Sequence, residues 1–177
     1  MRHLTPADYT RQPWKNGKGV TVELCRAERD GAILYRLSMA TVAEDGPFSL
    51  FPGIDRNLTV ISGPGFRLTG DGIALDCLPL VPVAFPGDVA VSASGTAAGA
   101  SEDFNVMTAR TLPRPEVAVL QDAALAEGAG LMALFAHAPL HLGARSLARH
   151  DLLLGAALSG AVTGGPALVV RFHGLSG

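Results

Sequence analysis

Short apolar runs, each closed by a turn signal, leave this chain little choice of fold. "VTVELC", "ILYRLSMATV", "RNLTVIS", "FRLTG", "IALDCL", "DVAVSAS", "EVAVL", "LMALFA", "LLLGAAL" and "ALVVRF" follow one another along the sequence. Between them stand "ERDG", "EDGPF", "SGPG" and "TGDG". Alternation at period two, broken every few residues by glycine, proline or aspartate, is the pattern of an all-β sandwich or barrel. Helical periodicity is confined to "LQDAALAEGAG", where one short helix is expected, and to a possible opening turn over residues 6–9. At 177 residues and 48% apolar composition, the chain is long enough for one well-filled domain or two small barrels.

"TLPRPEV", residues 111–117, reads as a connector, because its two prolines resist continuation of a strand or helix. It divides the chain into residues 1–112 and 113–177. The uncharged stretch "LLLGAALSGAVTGGPALVV" has the length of a membrane span, but its glycines and proline fit two buried strands joined by a "TGGP" turn. The first residues lack the apolar run of a signal peptide. Cys25 and Cys77 are the only cysteines, with no paired spacing, so reduced, buried thiols and a cytoplasmic location are expected. The 14 basic and 16 acidic residues are scattered, which argues against a nucleic-acid partner, since phosphate binding needs clustered positive charge.

The stretch from Arg56 to Gly95 has the glycine frame of a cupin barrel. In that frame a glutamate precedes a glycine by seven positions, and Arg56 stands in this relation to Gly63 in "RNLTVISG". From Gly87 the second frame runs through Gly95, with Ala93 at its proline and Ala98 at its histidine. The metal ligands of the frame are therefore replaced, and no metal or other cofactor is expected. In a strand Arg56 shares a face with Leu58 and Val60. If that face lines the barrel, the guanidinium points inward, where it needs an anion. Two readings stay open: an ion pair with Asp55, Asp103 or Glu23, or a mouth-facing arginine that holds a ligand carboxylate through its planar fork.

Other chemistry has no support in the residue pattern. His137 and His141 are four apart, but Pro139 between them opposes the helix that would align them. "NGKGVT" lacks the longer glycine-rich loop that cradles phosphates, and no Gly-x-Ser-x-Gly elbow occurs.

Three motifs together resemble the HutD/Ves family: "PWKNGKGVTVE" (13–23), "GPFSLFPGIDRNLTVISG" (46–63) and "DFNVMTAR" (103–110), with "FPGD" (85–88) between the last two. Members usually carry a third glycine where this chain has Lys18, and leucine where it has Phe104. The resemblance implies a bicupin, two jelly-roll β-barrels sharing a core with few short helices. It also implies a tie to histidine utilisation, as a governor sensing urocanate or N-formylglutamate, or, in the other branch, to stress induction. Carried over residue by residue, the ligand-binding candidates are Trp14, Lys15, Asn16, Phe48, Ser49, Arg56, Asn105 and Met107. Arg56 would take a carboxylate and Lys15 add charge. Ser49, Asn16 and Asn105 would supply neutral hydrogen bonds, and Trp14 and Phe48 apolar faces. The expected partner is thus a small carboxylate, not nucleic acid or membrane, and a homodimer is left open. The alternative is a metal-independent enzyme of the same fold, an isomerase or hydrolase, with Lys15, Asp55 or Glu23 as acid or base.

Overall fold

The computed structural model describes residues 1–14 and 19–175, and among them every regular element except two single-turn 3-10 segments is a strand. The chain divides into two compact units, Thr10–Thr111 and Met1–Tyr9 with Leu112–Gly177.

Thr10–Thr111 is built from two antiparallel sheets. The larger has the order Thr10–Pro13, Val20–Arg29, Ala32–Val42, Ser101–Ala109, Ile54–Ser62, Val83–Pro86. The smaller has Gly46–Pro47, Val91–Ser94, Phe66–Gly70, Ile73–Cys77. Local sequence explains the joints. Asp30 and Gly31 both have positive φ, 53° and 76°, the two-residue turn whose twist suits a hairpin between Val20–Arg29 and Ala32–Val42. At "FPGI", Ile54 N donates to Phe51 O at 3.2 Å around Pro52 and Gly53, and Gly53 takes the φ of 74° that this turn demands of its third residue. That turn launches the strand carrying Arg56. The sheets pack through Leu58, Val60 and Phe85 of one against Phe66, Leu68 and Val91 of the other.

The other unit also has two antiparallel sheets. One has the order Arg2–Leu4, Leu152–Gly155, Leu131–Ala136, Ala167–Phe172, Glu116–Leu120. The second has Ala123–Leu125, Gly160–Gly164, Leu140–Leu142, Arg145–Leu147. The first nine residues belong here. Arg2–Leu4 pairs with Leu152–Gly155, His3 Nε2 lies 2.9 Å from Asp151 Oδ2, and the Tyr9 hydroxyl donates to His150 O at 2.6 Å. The uncharged stretch forms three strands, and its last two, on either side of "TGGP", lie in different sheets. No helix among the described residues is long and apolar enough to cross a membrane.

The helix expected in "LQDAALAEGAG" is replaced by a strand, Ala123–Leu125, paired with Gly160–Gly164. Asp122, at φ 47°, turns the chain ahead of it, and Leu125 is buried in the core. Intrinsic preference for helix over three residues is weaker than a ladder of hydrogen bonds and one buried leucine. Residues 6–8 do form a 3-10 turn, closed by a capping box in which the Thr5 N–H and hydroxyl donate to Asp8 Oδ2 at 2.8 and 2.9 Å.

Candidate functional site

The inner face of the six-stranded sheet changes character along its width. Met107 stands between Arg36 and Arg56 in the register, Asn105 between Ser38 and Leu58, and Asp103 between Ala40 and Val60. Glu23 and Thr21 continue two of these rows on the next strand. Residues directly opposite share a face, and so do residues two apart, so all of them point the same way. Leu58, Val60 and Phe85 join the apolar core, whereas Thr21, Glu23, Arg36, Ser38, Asp103 and Asn105 border a cavity of about 700 Å³. Trp14, Phe48, Ser49, Phe51, Arg56 and Met107 also line it.

Arg56 is only 6% exposed and sits among aromatic rings. Its guanidinium carbon lies 5.3 Å from the ring centroids of Phe48 and Phe51 and 4.9 Å from that of Phe85. Such contacts are worth about 0.5–2 kcal/mol each, the upper figure applying where water is excluded. Nη1 donates to the Ser49 carbonyl at 3.3 Å and Nη2 to Asn105 Oδ1 at 3.0 Å. Nε has no partner among the described residues. No carboxylate of those residues forms an ion pair with it: Asp55 is engaged by Arg110 at 3.1 Å, Glu23 by Arg36 at 2.7 Å, and Asp103 is reached only through Asn105 Nδ2, which donates to Asp103 Oδ1. Burial lowers the Arg56 pKa to about 10; Asp103 opposes that shift and Arg36 adds to it, and the group remains cationic near neutrality. Burial also lifts the Asp103 carboxyl, 1% exposed, to about 7, against the pull of Arg56.

A second polar group stands across Met107 from Arg56. Arg36 Nε donates to Glu23 Oε2 at 2.7 Å and Nη2 to Gln12 Oε1 at 3.3 Å. A register shift between Glu23 and Cys25 brings Arg26 back to the face of Glu23, with 3.6 Å between Arg26 Nε and Glu23 Oε1. Glu23 thereby separates two arginines that face each other in the register.

Of the residues picked from sequence, Trp14, Phe48, Ser49, Arg56, Asn105 and Met107 come together around this cavity, while Lys15 and Asn16 lie outside the described residues. Trp14 Nε1 donates to Thr21 Oγ1 at 2.8 Å. The indole lies across Gly19, where a Cβ would stand 2.9 Å from its ring, so that glycine is required by the tryptophan rather than by a turn alone. Ser49 contacts Arg56 through its carbonyl rather than its hydroxyl. Sequence reasoning passed over Gln12, Thr21, Arg36 and Ser38 as lining residues, although the period-two rule places Arg36 and Ser38 on one side of "YRLSMA". Among the described residues no three His, Cys, Asp or Glu side chains gather as a metal site would need.

The HutD family profile matches residues 6–164. The chain belongs to the HutD family. HutD from Pseudomonas fluorescens SBW25 (formate condition) superposes with a TM-score of 0.84 at 33% identity, covering 98% of this chain and 99% of that one. A conserved protein of unknown function from Pseudomonas aeruginosa PAO1 gives 0.82 at 33% identity, covering 99% of each. An uncharacterized 21.2 kDa protein in the hutC 3' region of Pseudomonas putida is 41% identical over 112 residues, which is 62% of this chain and 58% of that relative. A cupin 2 conserved barrel domain protein from Leptotrichia buccalis, at 8% identity and a TM-score of 0.56, shares the fold. This HutD-family chain is thus an all-β, cupin-like protein, each unit made of two open sheets rather than one closed barrel.

Proposed function

We propose that this HutD-family chain binds a small carboxylate at Arg56 and has a regulatory role in histidine utilisation, sensing urocanate or N-formylglutamate. The observation that carries the reading is a buried, charged guanidinium that no carboxylate of the described residues pairs with directly, and whose Nε has no partner among them, bordering a cavity large enough for a small acid. An uncompensated buried charge is costly, and an anionic ligand relieves that cost. The aromatic rings around Arg56 suit a flat acid, whose body would lie against Phe48 and Trp14. Family membership and the position of the Pseudomonas putida relative beside hutC support the pathway.

Calorimetry with trans-urocanate and N-formylglutamate tests this. One of them binds the wild type, and Arg56→Ala weakens it at least about thirtyfold, the scale of losing one partner of a buried charge pair. Arg56→Met, which keeps the volume and removes the charge, gives the same loss with the fold retained. Absence of heat with both acids, or unchanged affinity in the variants, rejects the reading.

A further inference from the structure

Two buried side-chain polar atoms of the cavity-lining residues lack a partner among the described residues: Arg56 Nε and Asp103 Oδ2. They belong to one connected group. Arg56 Nη2 donates to Asn105 Oδ1, and Asn105 Nδ2 donates to Asp103 Oδ1. The guanidinium only donates, so it fixes the orientation of the Asn105 amide, which then occupies Asp103 Oδ1 as an acceptor. Any proton on Asp103 therefore sits on Oδ2.

Charge counting decides what happens when an acid enters. Arg56 neutralises one anion. A ligand carboxylate together with an ionised Asp103 makes two, and Arg36, the other shielded cation among the described residues of the cavity wall, is committed to Glu23. Two carboxylates sharing one cation away from water do not both stay ionised. With a proton on Asp103 the count balances.

We propose that the cavity takes a monocarboxylic acid as its anion and one proton together, the anion beside Arg56 and the proton, drawn from solvent, on Asp103 Oδ2. This rests on the carboxylate reading of Arg56. Asp103 then acts as a specificity residue: it favours a monoanion, and so of the two acids named above it selects urocanate over N-formylglutamate, which arrives with a second carboxylate.

The free site is poised for this exchange, because burial already lifts the Asp103 carboxyl to about 7 and a bound anion cancels the opposing pull of Arg56. Among the described residues, the charged or titratable groups around Asp103 are Arg56 on one neighbouring strand, Arg36 on the other, Glu23 and Arg26 beyond it, Glu102 beside it in the chain, and Cys77 in the smaller sheet. Burial raises the Cys77 thiol to about 12 and Arg56 falls only to about 10, so both stay protonated from pH 6.5 to 8.5. No histidine occurs between residues 10 and 111. A pH slope in that window therefore reports on Asp103.

Sodium formate is the probe, since a simple carboxylate has no ionisation of its own in this range. Binding is followed by NMR through the indole N–H of Trp14, the only tryptophan and part of the cavity wall. The wild type is expected to bind more weakly by about tenfold per pH unit between pH 7.5 and 8.5, as one linked proton requires. Asp103→Asn, whose amide N–H replaces the carboxyl O–H, binds with an affinity constant within twofold from pH 6.5 to 8.5. Independently of that variant, the Asp103 carboxyl carbon in the wild type moves toward its protonated shift on formate addition at pH 7.5. Equal wild-type affinities at pH 6.5 and 8.5, the same slope in Asp103→Asn, or a carboxyl signal that stays ionised overturns the inference. Failure of formate to bind at every pH is a different result, and it removes the Arg56 reading itself.

Discussion

The two units share a plan of paired antiparallel sheets, but they fill it differently. In Met1–Tyr9 with Leu112–Gly177, the core cluster is aliphatic throughout. Met132, Leu134, Ala136, Leu153, Leu158 and Val169 belong to it, each at most 5% exposed. In Thr10–Thr111, the equivalent space is half core and half cavity, and polar residues border the cavity. The division falls within single strands. Leu58 and Val60 are core residues, while Arg56, two positions away on the same face, opens onto the cavity. One plan thus supports a filled core or a hollow polar one, depending on whether inward positions hold aliphatic or hydrogen-bonding side chains. The filled unit gains stability from packing. The hollow one gives some of that up for a cavity.

The strongest contrast lies in deleting core volume. Leu134, fully buried and central to the aliphatic cluster, is expected to cost about 2–5 kcal/mol on replacement by alanine, because lost transfer energy adds to an unfilled void. Urea denaturation measures it. A cost below 1 kcal/mol would show that this unit is loosely packed and that the contrast between the two interiors is false.

An effect of comparable size and opposite origin belongs to the hollow unit. Asp103 has a folded-state pKa of about 7 against an ordinary 3.8, so the native state keeps a proton that the unfolded chain releases. Its contribution to stability is full below about pH 4 and declines as pH rises toward 7, then levels off. The expected size is on the order of a few kcal/mol across that window. Asp8, Asp45 and Asp88 run the other way: hydrogen bonds hold their pKa values down, so their contributions vanish only below the Asp103 window. Comparing wild type with Asp103→Asn at each pH isolates the group, with Trp14 fluorescence reporting on this unit. The variant gains on the wild type as pH rises from 4.5 to 7.5, and a flat or inverted difference contradicts the buried-carboxyl account.

How far the sequence reveals this contrast depends on the kind of information each feature needs. The strands are legible because alternation and turn chemistry are local: "ERDG" and "FPGI" mark turns that the backbone makes. Arg56 is legible because a charge sits in phase with Leu58 and Val60, and phase survives folding. Arg36 and Ser38 are passed over for the converse reason. Polar residues alternating with Leu37 and Met39 look like a solvent face, and nothing local says that they border a cavity. The link from Arg56 to Asp103 needs three side chains from two strands at a particular register. Sequence shows only that Asp103 and Asn105, two apart, share a face. The strand at Ala123–Leu125 escapes notice because its pairing with Gly160–Gly164 is non-local.

The gentlest test adds volume instead of removing it. Ala136 is fully buried in the aliphatic cluster, and a leucine there must push packed neighbours aside at a cost of about 1–3 kcal/mol. Ala40 lies between Thr21 and Asp103 in the register and lines the cavity. A leucine at that position projects into open space, so Ala40→Leu should stay within about 0.5 kcal/mol of wild type by urea denaturation. The same variant should lose carboxylate binding, because the added side chain occupies the volume beside Asp103. Equal destabilisation by the two substitutions would mean that the cavity closes in solution. A stable Ala40→Leu that still binds its acid would place the ligand away from this row of the sheet. The pair therefore separates the hollow interior from the site proposed within it, because stability reports on the first and binding on the second.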